Sequence, residues 1–173
     1  MSDNTNQTKQ LPLVCTRGVV VFPEQEVIID VGRSKSVHAV EDSQNDYDAK
    51  IVLVAQKELN VENPTIADLY EFGTLCTIKH IRRMDGYLRV KFKGVQRAAI
   101  MNVIDSAVGM LADIEIKEDI AEESLEEIAL VRKIAKQFEN MDITNVNIPK
   151  DMVNNLAKGA SAAQMTNMIG QLF

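Results

Sequence analysis

The chain has 173 residues, 46% of them apolar, and a net charge of −6. That length can bury a core as one domain or two small lobes, and the acidic balance gives no bulk attraction to nucleic acid or anionic lipid. No apolar run approaches the roughly 20 residues that cross a bilayer. The opening MSDNTNQTKQ has no apolar signal core, so a cytoplasmic protein with no membrane partner is expected. Residues 1–10 read as a disordered tail. Cys15 and Cys76 both fall inside apolar runs without metal-ligand neighbours, and read as small buried residues of a reducing compartment.

In Leu11–Arg33, two β-branched runs, Val19–Phe22 and Val27–Val31, flank Pro23–Glu26. The pattern reads as a strand–turn–strand hairpin, because proline ends the first run. Ser34–Glu41 reads as a short helix capped by Ser34, with Val37 and Val40 on one face, and 42–48 as loop. Ile51–Ala55 is apolar throughout, the pattern of a strand covered on both faces. Asn63–Tyr70 reads as a turn into a short helix capped by Thr65. Thr74–Arg83 and Tyr87–Gly94 form a hairpin. A two-residue Asp85-Gly86 turn would set Phe92 opposite Lys79, whereas a loop longer by one residue sets it opposite Ile78, and the longer loop is favoured. Val108–Lys117 is the last strand, with Met110, Ala112, Ile114 and Ile116 on one side. Val20, Val27, Ile29, Leu53, Phe92 and Val95 are the expected core.

After Glu118 the apolar spacing changes from two to three and four: Leu125, Ile128, Ala129, Val131 or Arg132, Ala135, Phe138. Pro149 opens a second helix ending before Gly159, and Ser161–Phe173 a third. The fold expected is α+β: a mixed β-sheet or pseudo-barrel lobe with short helices over 11–117, then an all-α helical lobe over 118–173.

Catalytic motifs are lacking: there is no GxxxxGK[ST], HExxH, GxSxG or paired-cysteine pattern. His38 and His80 are ordinary structural or surface histidines. Ser34, Lys35 and Ser36 point apart on a helix and cannot form a nucleophile–base pair. No catalytic, metal or cofactor residue is assigned. One cluster stands out, namely Lys79, His80, Arg82, Arg83, Arg89, Lys91, Lys93 and Arg97 on the hairpin of an acidic protein. It is either a contact for nucleic acid, polyphosphate or an acidic partner, with Lys79, Arg82, Arg83, Arg89, Lys91 and Lys93 as candidates, or the solvated face of an edge hairpin.

The succession LPL, RG followed by VVVFP, VGR-KS, IVLVAQK (51–57), FGT (72–74) and KGVQRA (93–98) resembles the amino-terminal domain of Lon ATP-dependent proteases. Ser34, where many members are acidic, and Met84, where proline often precedes the turn, depart from the pattern. The resemblance implies a non-catalytic front end that recognises unfolded, damaged or tagged proteins and supports assembly with other Lon subunits into a homohexamer. It also implies that ATP and Mg belong to later modules of a parent enzyme, a Ser-Lys peptidase with an AAA+ ATPase, the present chain being cut within or just after its helical lobe. Alternatives are a free-standing Lon-domain-like binding protein, or a nucleic-acid or polyphosphate-binding β module that uses the basic hairpin.

A surface selective for unfolded chains needs apolar area not used in its own core. Phe22, Pro23 and Val27 at the first turn, and Met152, Met165 and Met168 on the helices, are the candidate substrate contacts; thioethers adapt to varied partners. Because the sequence holds no phosphate-cradling loop and no nucleophile beside a base, the purified chain is expected to turn over neither ATP nor peptide. Activity surviving repurification, followed in coupled ATPase and fluorogenic-peptide assays, would overturn that.

Overall fold

Successive side chains of a strand point to opposite faces, so one continuous apolar run can feed two cores, and Ile51–Ala55 does so. In the computed structural model, which describes residues 8–119, 124–140 and 159–172, Ile51 and Leu53 join one buried cluster and Val52 and Val54 another. The strands are β1 (Lys9–Thr16), β2 (Glu26–Val31), β3 (Lys50–Ala55), β4 (Phe72–Arg83), β5 (Leu88–Asp105) and β6 (Met110–Lys117). They form one mixed sheet in the order β2-β5-β4-β3-β1-β6, and a further β5–β6 pairing closes it on itself. β1 and β3 are parallel and the other pairs antiparallel. β2 stays outside the closed circuit, paired with the first part of β5.

All five strands of the circuit supply one cluster, including Leu13, Val54, Leu75, Ala98 and Ile114. The other lies beneath helix α1 (Ser34–Asp46) and gathers Val14, Val31, Val40, Ile78, Val90 and Phe92. Cys15 and Cys76 are free and buried. Burial pushes their thiols up to about 11 and about 12, which makes them poor nucleophiles.

Several expectations change. Val19–Phe22 is not a strand: β1 lies earlier, starting at Lys9, where Gln10 pairs with Asp113 of β6 and donates its side-chain amide to that carboxylate at 2.9 Å. The expected first hairpin is therefore absent, since β1 and β2 have different partners. Residues 1–7 of the expected tail lie outside the described residues. Val20 and Val95 are exposed (57% and 44%), because the first sits in an irregular segment and the second alternates away from its buried neighbours. Val27 and Ile29 are half-buried, whereas Leu53 and Phe92 are buried as expected. Helix α1 runs through the residues read as loop. Val37 and Val40 face the core as expected, and the buried stripe continues to Ser43, a polar residue that shows no apolar period; Ser43 donates its hydroxyl to the Lys50 carbonyl at 2.9 Å. Its N-cap is Arg33 rather than Ser34, without a side-chain cap. The turn at Ile66–Asp68 is a single 3-10 turn, with the Thr65 amide and hydroxyl donating to Asp68.

The hairpin register combines both possibilities. The turn is the two-residue one: Met84 N–H donates to the Tyr87 carbonyl at 2.9 Å, and Arg83 faces Leu88. A bulge between Ile78 and His80 takes up Lys79, so Phe92 still faces Ile78. The extra residue sits in the strand instead of the loop.

The chain divides after Glu118. In the second unit, α2 (Leu125–Asn140) starts at a capping box in which Ser124 N–H donates to Glu127 and Glu127 N–H to the Ser124 hydroxyl. A second such box, Ser161 with Gln164, opens α3 (Ala162–Gly170). Val131, Ile134, Ala135 and Phe138 pack with Met165, Met168 and Ile169, while Leu125 is 87% exposed. The helix expected from Pro149 lies outside the described residues.

Phe92 is fully buried, so Phe92→Ala is expected to cost roughly 3–5 kcal/mol. Val20→Ala should stay within about 0.5 kcal/mol. Urea unfolding checks both, and a Phe92→Ala loss below about 1 kcal/mol would contradict the cluster described.

Candidate apolar docking groove

Residues Arg17–Gln25 leave β1 without finding a strand partner, and side chains take up their main-chain groups instead. The Thr16 hydroxyl donates to the Val19 carbonyl at 2.6 Å, and the Thr74 hydroxyl donates to that of Val21. Phe22 N–H donates to the Gln25 side-chain oxygen at 2.9 Å, and Gln25 N–H returns to the Phe22 carbonyl. The β-branched run is thus extended but outside any ladder. Val21 is buried beneath it, and Val20 is turned outward.

The turn at Pro23 rests on β5 at Gly94. Glu24 N–H donates to the Gly94 carbonyl at 3.0 Å, and Gly94 N–H donates to Gln25 at 2.8 Å. A Cβ at Gly94 would clash with the Phe22 carbonyl oxygen. Only glycine permits that approach. Across from this segment runs Tyr70–Gly73: Tyr70 N–H donates to the Ala55 carbonyl at 3.1 Å, and a Cβ at Gly73 would meet the Leu53 carbonyl oxygen at 2.6 Å. Two backbone segments, each fixed by a glycine contact, therefore face each other over the end of β3.

Between them is a cavity of about 470 Å³, with Val20, Phe22 and Pro23 on one side, Tyr70 and Phe72 on the other, and Leu53 and Ala55 among its lining. Tyr70 is 52% and Phe72 56% exposed. Lys57, Glu71 and Arg97 also line it. Thr16 and Thr74, which line it too, already donate their hydroxyls to carbonyls. The site can hold apolar side chains, and it offers no nucleophile–base pair.

Of the sequence-derived contacts, Phe22 (half-buried) and Pro23 (buried) line the groove. Val27 does not; it pairs with Phe92 and packs on the cluster beneath α1. Met165 is 2% exposed and Met168 is half-buried, both in the helical cluster, so neither is the open contact expected; Met152 lies outside the described residues. Tyr70 and Phe72 were missed. Two aromatics one residue apart, just ahead of Gly73, place both rings on one side of an extended segment, and that was their available signal.

Half of the six candidate cations of the basic hairpin, Arg83, Arg89 and Lys91, are ion-paired. Arg89 makes a two-pronged pair with Asp30, both contacts at 2.7 Å, and its guanidinium lies 5.8 Å from the Tyr87 ring centroid. Lys91 pairs with Glu26 and Arg83 with Glu41, each at 2.6 Å. The Lys91 bond, with charge from Lys91, Lys93 and Lys79, holds the Glu26 carboxyl below its usual range. Lys79, Arg82 and Lys93 have no ion-pair partner among the described residues. β2 covers the outer side of the β5 arm, whereas β3 pairs with β4 only as far as Thr77, so the arm carrying His80, Arg82 and Arg83 remains an edge among the described residues. His38 is exposed, with Nδ1 2.9 Å from the Ser34 carbonyl oxygen.

The family model of the ATP-dependent protease La (LON) substrate-binding domain matches residues 10–171. The chain belongs to this Lon domain family. It is 32% identical over 170 residues to a Lon protease of Buchnera aphidicola, and equally to the Lon protease of Escherichia coli K12. Each comparison covers 98% of this chain and 22% of the relative, so the chain spans about a fifth of the length of these Lon proteases. The fold is similar to the N-terminal domain of the Mycobacterium avium complex Lon protease, with a TM-score of 0.69 at 15% identity over 94% of this chain and 82% of that one. Four of the six Lon-like motifs line the groove, Val20–Pro23 of RG-VVVFP on one wall, FGT on the other, IVLVAQK through Leu53, Ala55 and Lys57, and KGVQRA through Arg97; LPL and VGR-KS do not.

Gly94→Ala is expected to displace the Phe22–Gln25 turn and lower stability by about 1–3 kcal/mol, the usual range for overpacking. Val95→Ala, at an exposed neighbour, should change neither. Urea titration together with amide shifts of Phe22–Gln25 measures both effects, and an unshifted turn in Gly94→Ala would contradict the close approach.

Proposed function

We propose that this Lon-family domain recognises unfolded or damaged polypeptides by taking their apolar side chains into the Val20–Tyr70–Phe72 groove. The observation that carries the reading is an open apolar cavity whose exposed rim residues are not used by the domain's own core. Folded proteins expose few contiguous apolar segments, so such a groove selects for unfolding itself. In this reading the domain is non-catalytic and serves a cytoplasmic ATP-dependent serine protease; peptide hydrolysis, ATP and Mg belong to other modules of that protein, and association with further Lon subunits into a homohexamer completes it. An all-α lobe after residue 118 is part of the same proposal, supported by α2, α3 and the apolar cluster between them. Among the described residues no helix is long and apolar enough to cross a membrane.

The reading predicts weak, salt-tolerant binding of a reduced, carboxymethylated protein. Phe72→Ser and Val20→Ser, both at exposed positions that should leave folding intact, are each expected to weaken it by about tenfold, the equivalent of roughly 1.4 kcal/mol. Fluorescence anisotropy at several salt concentrations measures this. Equal binding by wild type and both variants would remove the groove from the mechanism. A steep fall with salt would instead favour an anionic contact at Lys79, Arg82 and Lys93.

A further inference from the structure

The VGR-KS stretch joins β2 to α1 and lines a cleft other than the groove. That cleft has a volume of about 500 Å³, and Arg17, Arg33, Ser34, Lys35, Ser36 and Glu62 are among its lining. The opening N–H groups of a helix need partners from outside it. Val37 N–H is the first to bond within α1, to the Arg33 carbonyl at 2.9 Å, and no side chain caps the N–H groups of Ser34, Lys35 and Ser36. The first turn holds no acidic residue either. Ser36 is 8% exposed, and its hydroxyl has no hydrogen-bond partner among the described residues. Because no fully enclosed side-chain oxygen or nitrogen among them lacks a partner, that hydroxyl reaches the open space that Ser36 lines. Arg17 and Arg33 converge on one neutral acceptor, each donating to the Val61 carbonyl, at 3.2 and 3.3 Å. Arg33 is held further by the Cys15 carbonyl and the Gln56 side-chain oxygen. Among the described residues neither arginine has a carboxylate within ion-pair distance, whereas Lys35 is paired with Asp105 at 2.6 Å and supplies no free charge. Burial first, and the charge of Arg17 second, lower the Arg33 pKa, as for cations held together without a counter-ion.

We infer that this cleft binds a phosphomonoester, with the phosphate at the start of α1 and the organic group along the cleft. A phosphate ester accepts through three terminal oxygens and carries about −1.5 to −2 charge at pH 7. The cleft offers the matching donors: three free N–H groups at a helix end that favours negative charge, the Ser36 hydroxyl, and the guanidinium of Arg17. Arg17 is exposed and bound to one carbonyl only, so it is free to turn to the ligand, while the tied Arg33 contributes its charge. A carboxylate, with two oxygens and a single charge, would leave donors unused. A bare phosphate would leave most of the 500 Å³ empty, a volume in the range of small organic ligands. Glu62 is the opposing charge in the lining. The site is separate from the groove, since neither Arg17 nor any residue of α1 lines the latter. The same phosphate group occurs on free small molecules and on phosphorylated side chains, and the ligands of the test separate the two.

The test titrates the isotope-labelled chain at constant ionic strength with phenyl phosphate, with benzoate, and with a capped peptide of phosphoserine between two glycines. Phenyl phosphate is expected to shift the amides of Ser34, Lys35 and Ser36 and to bind about tenfold more tightly than benzoate. Arg17→Ala should keep the folded spectrum and weaken phenyl phosphate by about tenfold, the weight of a hydrogen bond to a charged group. Glu62→Gln, also at an exposed position, should tighten it by about two- to fivefold, as removal of an exposed like charge implies. That gain cannot come from damage to the fold, so the pair of variants stays decisive where one of them is perturbed. Phe72→Ser, which acts at the groove, should leave phenyl phosphate binding unchanged. Tighter binding of phenyl phosphate than of the phosphoserine peptide assigns the site to small molecules, and the reverse order assigns it to phosphorylated polypeptides; either bears the inference out. Equal affinity for benzoate and phenyl phosphate, shifts confined to the hairpin around Lys79, Arg82 and Lys93, unchanged binding in Arg17→Ala, or weaker binding in Glu62→Gln would each overturn it.

Discussion

The structure depends on β3 being apolar on both faces. Ile51, Val52, Leu53 and Val54 are each at most 3% exposed, and alternate members belong to different clusters. At about 1.5–3 kcal/mol for each fully buried aliphatic side chain, these four match the whole net stability of an ordinary domain, about 5–15 kcal/mol. A single polar residue on either face would therefore disrupt the cluster on that side and, at such a margin, threaten the whole lobe. The same strand also sets the groove, since Leu53 and Ala55 line it and the Leu53 carbonyl admits only glycine at position 73.

That dependence explains what was legible in the sequence. A strand buried on both faces needs an unbroken apolar run, and Ile51–Ala55 supplied one. Alternation in Met110–Ile116 likewise matched the buried side of β6. The misreadings arose where a partner was missing or remote. Val19–Phe22 has strand composition, yet threonine hydroxyls and Gln25 bind its main chain, which no local pattern reveals. Helix α1 was legible over Ser34–Glu41 from Val37 and Val40, but its continuation to Asp46 holds no apolar residue and buries Ser43, so that turn was hidden from any count of apolar residues. The bulge at Lys79 moved an extra residue from loop to strand, an exchange that leaves chain length unchanged.

For the candidate site, the sequence carried one wall of the groove and not the other. Phe22 and Pro23 stood out because proline interrupts a strand-like run. Tyr70 and Phe72 come from a segment some fifty residues later, and only the close approaches at Gly73 and Gly94 bring the two walls into register. The basic hairpin shows a different limit of sequence reading. Its cations are conspicuous in one dimension, but the acidic partners of three of them, Asp30 for Arg89, Glu26 for Lys91 and Glu41 for Arg83, lie on β2 and α1, distant in sequence and adjacent in space.

The closure of the sheet has a bearing on synthesis. Gln10 of β1 meets Asp113 of β6, a separation of 103 residues, and β1 also needs β3 before it is paired at all. At translation rates of about 5–20 residues per second, the first strand therefore waits about 5–20 s for its last neighbour to be made. Throughout that interval Leu11, Leu13 and Cys15 lack the face they will share with Met110, Ala112 and Ile114. The emerging domain is for those seconds an apolar, unpaired chain of the kind it is proposed to bind, and it leaves that state only when β6 clears the ribosome.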